Sequence, residues 1–212
     1  HIIRVLRMKK GDPVKVIDGK GNLYETLIAD PDQGRCLLEV ISATRDFEKR
    51  NYRLHIAISP LKNNDRLEWF IEKAVETGID EITTIICERT EKTHIRKERL
   101  ENLILSAMKQ SVKAYLPILN EPMTAEAFIQ SHNSGNRLIA HCNNELPRNP
   151  ITDAVNKGGG TVIMIGPEGD FTAEEVKNAV AGGYIPIHLG DSRLRTETAG
   201  LMACCSVYLA NL

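Results

Sequence analysis

The sequence has 212 residues and a mass of 23.6 kDa, with 42% hydrophobic, 26% charged and 5% aromatic residues. Its formal net charge is -1, and no apolar run approaches the roughly 20 residues of a transmembrane helix. The composition therefore excludes a disordered polyelectrolyte, a membrane-spanning protein and a uniformly basic nucleic-acid binder, and it predicts a soluble globular protein of one or two domains.

Charge is unevenly distributed along the chain. Residues 1–15 carry a net charge of +4 and residues 86–113 carry +3, which with a total of -1 leaves -8 on the remaining residues. This segregation suits a protein that presents one face to a polyanion, and it is equally compatible with solvated surface charge that happens to cluster.

The first forty residues are typical of a small β unit. Three short strands are predicted at 14–17, 23–28 and 36–41, separated by turns that contain Gly19, Gly21 and Gly34. Residues 45–53, with four Arg or Lys and two acidic residues, are predicted to form a linker.

From residue 54 onward, strands and helices are predicted to alternate. A strand at 54–58 is followed by a helix that Asp65 and Glu68 are predicted to start as a capping box and that Gly78 ends. Further strands are predicted at 81–87, 137–142, 161–165 and 184–189, and further helices at 97–113, 124–130, 172–181 and 196–209. This alternation indicates an α/β domain with a largely parallel sheet.

The five cysteines and six histidines predict neither a metal site nor a disulfide framework, because they show no CxxC, HxH or HxxxH spacing. Four of the cysteines lie in apolar stretches, where a small hydrophobic side chain fits: Cys87, Cys142, Cys204 and Cys205. We expect reduced core thiols there rather than nucleophiles.

Two glycine-containing loops follow predicted strands and lead into helices, which is where open α/β sheets bind ligands. The first spans residues 165–172, where Gly166 and Gly169 permit close backbone approach and Thr172 with Glu175 predicts a capping box. This loop contains acidic residues and no lysine, so it suits a cationic or neutral ligand better than a phosphate.

The second loop spans residues 189–200. Gly190 permits close approach, Arg193 and Arg195 supply planar donors, and Thr196 is predicted to cap the last helix with Glu197 in its first turn. A purely structural alternative is that Arg195 and Glu197 pair with each other to brace the loop.

Together these loops resemble the paired cofactor motifs of the RsmE-type ribosomal RNA methyltransferases, within the SPOUT class. The similarity extends over nearly the whole chain, because it includes four further segments: residues 4–12, 72–78, 88–90 and 107–111, the last of which precedes Pro117. Ser192 and Arg193 depart from the family pattern, in which an arginine precedes an aliphatic residue.

The resemblance implies a SPOUT methyltransferase domain with a trefoil knot over residues 47–212 and a PUA-like β-barrel that binds RNA over residues 1–46. It further implies S-adenosylmethionine as the cofactor, methylation of uracil N3 in 16S RNA of the small ribosomal subunit, a homodimer, a cytoplasmic location and no membrane association. A metal is not implied.

The resemblance and the loop chemistry together give three sets of candidate site residues. Arg195 is expected to stabilise the uracil anion electrostatically, with Glu197 orienting it or the helix start. The cofactor pocket is assigned to His141, Ile165, Gly166, Pro167, Glu168, Gly169, Leu189, Gly190 and Leu194. Contacts to RNA phosphates are assigned to Arg4, Arg7, Lys9, Lys10, Arg89, Arg96, Arg99 and Lys113.

Three alternatives remain open at this point. The chain could be another SPOUT enzyme that modifies a ribose oxygen or a transfer RNA base, or a non-catalytic RNA-binding module that keeps the fold. A nucleotide-dependent dehydrogenase is less favoured, because the GxGxxG motif is missing after the first strand of the α/β part. For His141 a turn or cap role is as reasonable as cofactor binding.

Overall fold

The structure is a computed structural model that describes residues 2–32, 34–132 and 134–212, and it consists of two compact units. The first unit comprises His1–Lys49 together with Val112–Leu116, and the second comprises Arg50–Ser111 together with Pro117–Leu212. Within the described ranges, no helix combines the length and the apolar composition needed to cross a membrane.

The first unit contains an antiparallel three-stranded sheet of β1 (Pro13–Ile17), β2 (Leu23–Asp30) and β3 (Leu37–Thr44), in the order β1-β2-β3. The three predicted strands are thus confirmed. Residues 112–116 return to this unit, where Tyr115 pairs with Lys20 and the Leu116 N–H donates to the Gly19 carbonyl at 2.9 Å. The first unit is therefore built from two separate stretches of chain.

The second unit is an α/β fold, as the sequence predicts. Its strands are β4 (Tyr52–Ile58), β5 (Glu81–Ile86), β6 (Ile118–Leu119), β7 (Met123–Thr124), β8 (Asn136–Ala140), β9 (Asn149–Pro150), β10 (Gly159–Ile165) and β11 (Ile185–His188). Its helices are α1 (Asn64–Thr77), α2 (Lys97–Gln110), α3 (Ala125–Ser131), α4 (Ile151–Ala154), α5 (Ala173–Ala181) and α6 (Thr196–Ala210). The predicted linker is shorter than expected, because β4 begins at Tyr52.

The sheet of the second unit has the order β6-β5-β4-β10-β8-β11-β9, with β7 pairing to β5, and every one of these pairings is parallel. β4 and β10 lie at its centre, and most of their residues are buried because helices cover both faces. Since parallel strands end at the same edge, the loops after β8, β10 and β11 meet there.

Local capping explains where the helices begin, with one prediction confirmed and two corrected. The Thr172–Glu175 capping box starts α5, with both reciprocal hydrogen bonds present. α1 is instead capped by Asn63, whose side chain accepts from the Asp65 N–H at 2.9 Å, so the predicted Asp65–Glu68 box is wrong. Thr196 is not a cap either, because it is already the first helical residue of α6.

Candidate active site

A cavity of about 950 Å³ opens at the carboxyl ends of β8, β10 and β11. It is lined by residues 140–144, 165–171 and 188–196, which include both glycine loops. All nine residues assigned to the cofactor pocket line it: His141, Ile165, Gly166, Pro167, Glu168, Gly169, Leu189, Gly190 and Leu194. The parallel sheet therefore brings together residues up to 53 positions apart in the sequence.

The first loop is held in shape by its own backbone and by Asp170. The Asp170 N–H donates to the Pro167 carbonyl at 2.9 Å, and the Asp170 carboxylate accepts from the Cys142 N–H at 2.8 Å, which ties this loop to the one after β8. Gly166 lies close to Phe171, because a Cβ built on Gly166 would stand 3.0 Å from the ring of Phe171 and 3.1 Å from its backbone nitrogen. The close turn is therefore restricted to glycine.

The second loop contains Gly190, whose φ of 104° is accessible to glycine and strained for other residues. No atom lies within 4 Å of the position that a Cβ would take there, so this backbone faces open space in the cavity. Arg195 is exposed at the end of this loop, directly before α6, and lines the cavity with Arg193 and Leu194.

His141 is a buried polar side chain of the cavity. It is 3% exposed, and neither ring nitrogen has a hydrogen-bond partner among the residues that the structure describes. Burial lowers the pKa of His141, so its imidazole is neutral at pH 7 and presents one donor and one acceptor. The Arg148 guanidinium donates to the His141 carbonyl at 3.0 Å and so holds the backbone of the loop after β8.

Sequence reasoning missed Arg148, which contributes to the cavity although it lies outside both motifs. In the sequence, the only feature that points to Arg148 is its position after a predicted strand, and charged residues at such positions are too common to identify a site.

Glu197 is placed differently from the expectation. It is 7% exposed and lies beside Arg66 of α1, with 3.7 Å between Glu197 Oε1 and Arg66 Nε. No ion pair joins Arg195 to Glu197 in the described part of the chain, so Glu197 does not orient Arg195 and the bracing alternative is wrong. Glu197 faces a second cavity of about 610 Å³, formed between α1 and the start of α6.

The basic residues assigned to RNA fall into two groups. Seven of the eight are exposed, and five of these form neither an ion pair nor a side-chain hydrogen bond in the described ranges: Arg4, Arg7, Lys9, Lys10 and Arg96. Three are engaged within their own unit: Arg99 forms a two-bonded ion pair with Glu68, Lys113 lies 3.8 Å from Glu48, and Arg89 donates to the Gly169 carbonyl at 2.8 Å. Arg89 is thus part of the cofactor cavity wall.

Of the four predicted core thiols, Cys87 and Cys204 are buried, Cys205 is partly buried and Cys142 is exposed. Burial raises the pKa of Cys87 to about 12 and raises the pKa of Cys204, so both stay protonated. Cys142 is exposed at the cavity, which corrects its prediction as a core residue, because β8 ends two residues earlier at Ala140. Partial burial and Asp170 raise the pKa of Cys142 as well, which disfavours a thiolate nucleophile.

Two family models match the chain. The model described as an RNA methyltransferase domain matches residues 48–208, and the model described as an RNA methyltransferase PUA domain matches residues 1–41. Among curated proteins, the ribosomal RNA small subunit methyltransferase E of Synechocystis is 28% identical over 98% of this chain and 69% of its own length.

Solved structures are similar over the whole chain. The crystal structure of a "probable rRNA-methyltransferase" from Porphyromonas gingivalis superposes with a TM-score of 0.93 at 39% identity, covering 100% of this chain and 90% of that one. The ribosomal RNA small subunit methyltransferase E of Neisseria gonorrhoeae, crystallised with S-adenosyl methionine, superposes with a TM-score of 0.81 at 26% identity, covering 99% and 87%.

Proposed function

Because the chain belongs to the RNA methyltransferase family that includes the ribosomal RNA small subunit methyltransferase E proteins, we propose that it methylates N3 of a uracil in 16S RNA of the small ribosomal subunit. S-adenosylmethionine is the methyl donor. The observation that carries this proposal is the convergence of eight residues from the two glycine loops, together with His141, on one cavity at the edge of a parallel sheet.

The residues of the cavity fit S-adenosylmethionine. A volume of about 950 Å³ is near the upper end of the range for small-molecule sites. The buried ring nitrogens of His141 have no hydrogen-bond partner among the described residues, so polar groups of a ligand would satisfy them, and the backbone at Gly190 faces open space. Glu168 and Asp170 make the first loop acidic, which suits a sulfonium cation better than a phosphate.

The cofactor supplies a methyl group that its sulfonium already activates, so the protein acts mainly by positioning. The rigid turn at Gly166 and the Asp170 bond to the Cys142 N–H fix the shape of the donor cavity. Neutral His141 holds its donor and acceptor in place without adding charge next to a cation. Arg195, at the cavity rim, stabilises the negative charge that develops when uracil N3 loses its proton.

RNA binding is assigned to exposed basic side chains of each unit. In the first unit these are Arg4, Arg7, Lys9 and Lys10, which lie within the match to the RNA methyltransferase PUA domain. The proposed RNA-binding domain is a PUA-like β-barrel over residues 1–46. In the second unit Arg96 is the exposed candidate that forms neither an ion pair nor a side-chain hydrogen bond among the described residues. Because Arg89, Arg99 and Lys113 already have protein partners, their contribution to RNA affinity is expected to be smaller.

The trefoil knot of residues 47–212, the homodimer and the cytoplasmic location belong to the same proposal. Exposed apolar side chains on α6 support a self-association surface: Met202, Tyr208 and Leu209. Sedimentation equilibrium at micromolar concentration tests the dimer, and a monomer there would remove it.

The experiment that tests the proposed function is the transfer of label from S-adenosylmethionine to small ribosomal subunits that lack the modification, followed by mass spectrometry of the digested nucleosides. Labelled 3-methyluridine is the expected product. Label on a ribose or in transfer RNA would keep the cofactor and replace the substrate. RNA binding without any label transfer would identify a non-catalytic module.

A further inference from the structure

The turn that follows β5 is hydrogen-bonded to the first glycine loop and to the helix that this loop leads into. The Arg89 guanidinium donates from Nη1 to the Gly169 carbonyl at 2.8 Å. One residue earlier, the Glu88 N–H donates at 2.9 Å to Glu175 Oε1, while Glu175 Oε2 accepts from the Thr172 N–H in the capping box of α5. The turn at residues 87–90 and the first loop are therefore fixed against each other.

The turn itself is held by Thr90. The Thr90 hydroxyl accepts from the Cys87 N–H at 2.8 Å, and the Thr90 N–H donates back to the Cys87 carbonyl at 3.1 Å. A further hydrogen bond of 2.8 Å joins the hydroxyls of Thr90 and Ser59. The backbone that carries Arg89 is thus already ordered, which lowers the entropic cost when its side chain binds a ligand.

The stem of Arg89 passes close to Gly169, and most of its guanidinium is available. A Cβ built on Gly169 would stand 3.3 Å from Arg89 Cδ and 3.4 Å from Arg89 Cβ. Arg89 is exposed, lines the cofactor cavity and forms no ion pair in the described ranges. Among the described residues only one of its N–H groups is engaged, so the others can donate to a ligand in the cavity.

The amino-acid end of S-adenosylmethionine needs such a donor. The cofactor carries a carboxylate in addition to its sulfonium and ammonium groups, and the acidic first loop favours the two cations and disfavours the carboxylate. Only a short aliphatic chain separates the carboxylate from the sulfonium, so both lie within reach of the same loop. A carboxylate that leaves water for a cavity is costly unless a cation pairs with it there.

Arg89 is better placed for this role than the other three arginines of the cavity. Arg148 already donates to the His141 carbonyl and to an asparagine side chain. Arg193 and Arg195 belong to the second loop and line the second cavity as well. In the described part of the chain, Arg89 is the arginine of this cavity that is hydrogen-bonded to the first loop.

We propose that Arg89 binds the methionyl carboxylate of S-adenosylmethionine, while its hydrogen bond to Gly169 keeps the guanidinium at the cavity wall. This assignment rests on the proposed function and deepens it, because it gives a predicted RNA contact a role in cofactor binding. A guanidinium suits a carboxylate because its planar N–H groups can form two parallel, charge-assisted hydrogen bonds. The contact orients the methyl donor from its amino-acid end.

The test compares two ligands that differ only in this carboxylate. S-adenosylhomocysteine and its decarboxylated counterpart, S-(5′-adenosyl)-3-thiopropylamine, are each titrated into the whole protein in a calorimeter. Wild-type protein should bind S-adenosylhomocysteine at least about tenfold more tightly, because the decarboxylated compound leaves the charge-assisted hydrogen bonds of Arg89 unmade.

Two substitutions of Arg89 and one control assign this preference. Arg89→Met keeps the aliphatic stem and removes the donors, so it should abolish the preference and leave the affinity for the decarboxylated compound unchanged. Arg89→Lys keeps the charge without the planar fork and should show an intermediate preference. Arg193→Met makes the same change at another exposed arginine of the cavity and should keep the full preference.

Three results would overturn this assignment. They are equal affinity of the wild-type protein for the two ligands, an equal loss of affinity for both ligands in Arg89→Met, and loss of the preference in Arg193→Met instead. The second result would mean that Arg89 only supports the Gly169 backbone. The proposed function fails separately: a carboxylate preference that depends on Arg89, without label transfer to small ribosomal subunits, would leave the cofactor contact standing and remove the reaction.

Discussion

Acidification is expected to destabilise the second unit through His55, which lies on β4 and is 4% exposed. Burial lowers the pKa of His55 to about 4, against an unfolded value near 6.5. Glu81 favours the charged form of His55 and so opposes this shift only in part. Nearby His132 and Arg53 lower the pKa further. The His55 ring is held by a 2.7 Å hydrogen bond between Nε2 and the Thr83 hydroxyl.

The sign follows from proton binding. Between pH 6.5 and pH 4 the unfolded chain carries a proton on His55 that the folded chain lacks, so the free energy of unfolding falls as the pH falls through this window. A shift of this size corresponds to a total of about 3 kcal/mol, of which about 2 kcal/mol is lost between pH 7.5 and pH 5. Well above pH 6.5 His55 is neutral in both the folded and the unfolded chain, so its titration no longer changes the free energy of unfolding.

Urea unfolding followed by Trp69 fluorescence measures this effect in the correct unit, because Trp69 lies on α1. His55→Gln keeps a hydrogen-bonding side chain and removes the titration. The wild type should lose about 2 kcal/mol more than this variant between pH 7.5 and pH 5, and the comparison cancels the titration of His141 and other groups. An equal loss in the two proteins would refute the reasoning.

Three further predictions concern the site. Gly166→Ala should weaken S-adenosylmethionine binding at least about tenfold in calorimetry, because its Cβ would press on Phe171, whereas Gly169→Ala meets only the flexible Arg89 side chain and should cost less; equal losses would contradict this. Arg195→Ala should lower the rate of methyl transfer by about a hundredfold with little change in cofactor affinity, and an unimpaired rate would remove Arg195 from the mechanism. RNA affinity should depend less steeply on salt concentration when four basic residues are neutralised together, namely Arg4, Arg7, Lys9 and Lys10. An unchanged slope would show that the RNA contacts lie elsewhere.

Hydrophobic patterning and glycine loops were sufficient to predict the order and type of most elements. The run at 161–165 is apolar because β10 is covered on both faces, and that pattern is visible in the sequence alone. The Thr172–Glu175 box was predictable because both of its hydrogen bonds are made within four residues. Motif resemblance then supplied the cofactor and the reaction, which no periodicity encodes.

Contacts between distant residues account for what the sequence did not reveal. Glu68 has the right spacing for a capping box, yet it pairs with Arg99, which is 31 residues away on α2. Glu197 has the right spacing to pair with Arg195, yet it faces Arg66 of α1. In both cases local spacing permitted an interaction, and the tertiary packing of helices selected another.

The return of residues 112–116 to the first unit has a consequence for biosynthesis. The Gly21 N–H donates to the Ala114 carbonyl and the Leu116 N–H donates to the Gly19 carbonyl, so the first unit acquires these bonds only after the polypeptide has grown past residue 116. The first unit therefore cannot reach its final structure as an independent N-terminal domain while the rest of the chain is still being translated. The N-terminal residues emerge early and must wait for more than half of the chain to be made.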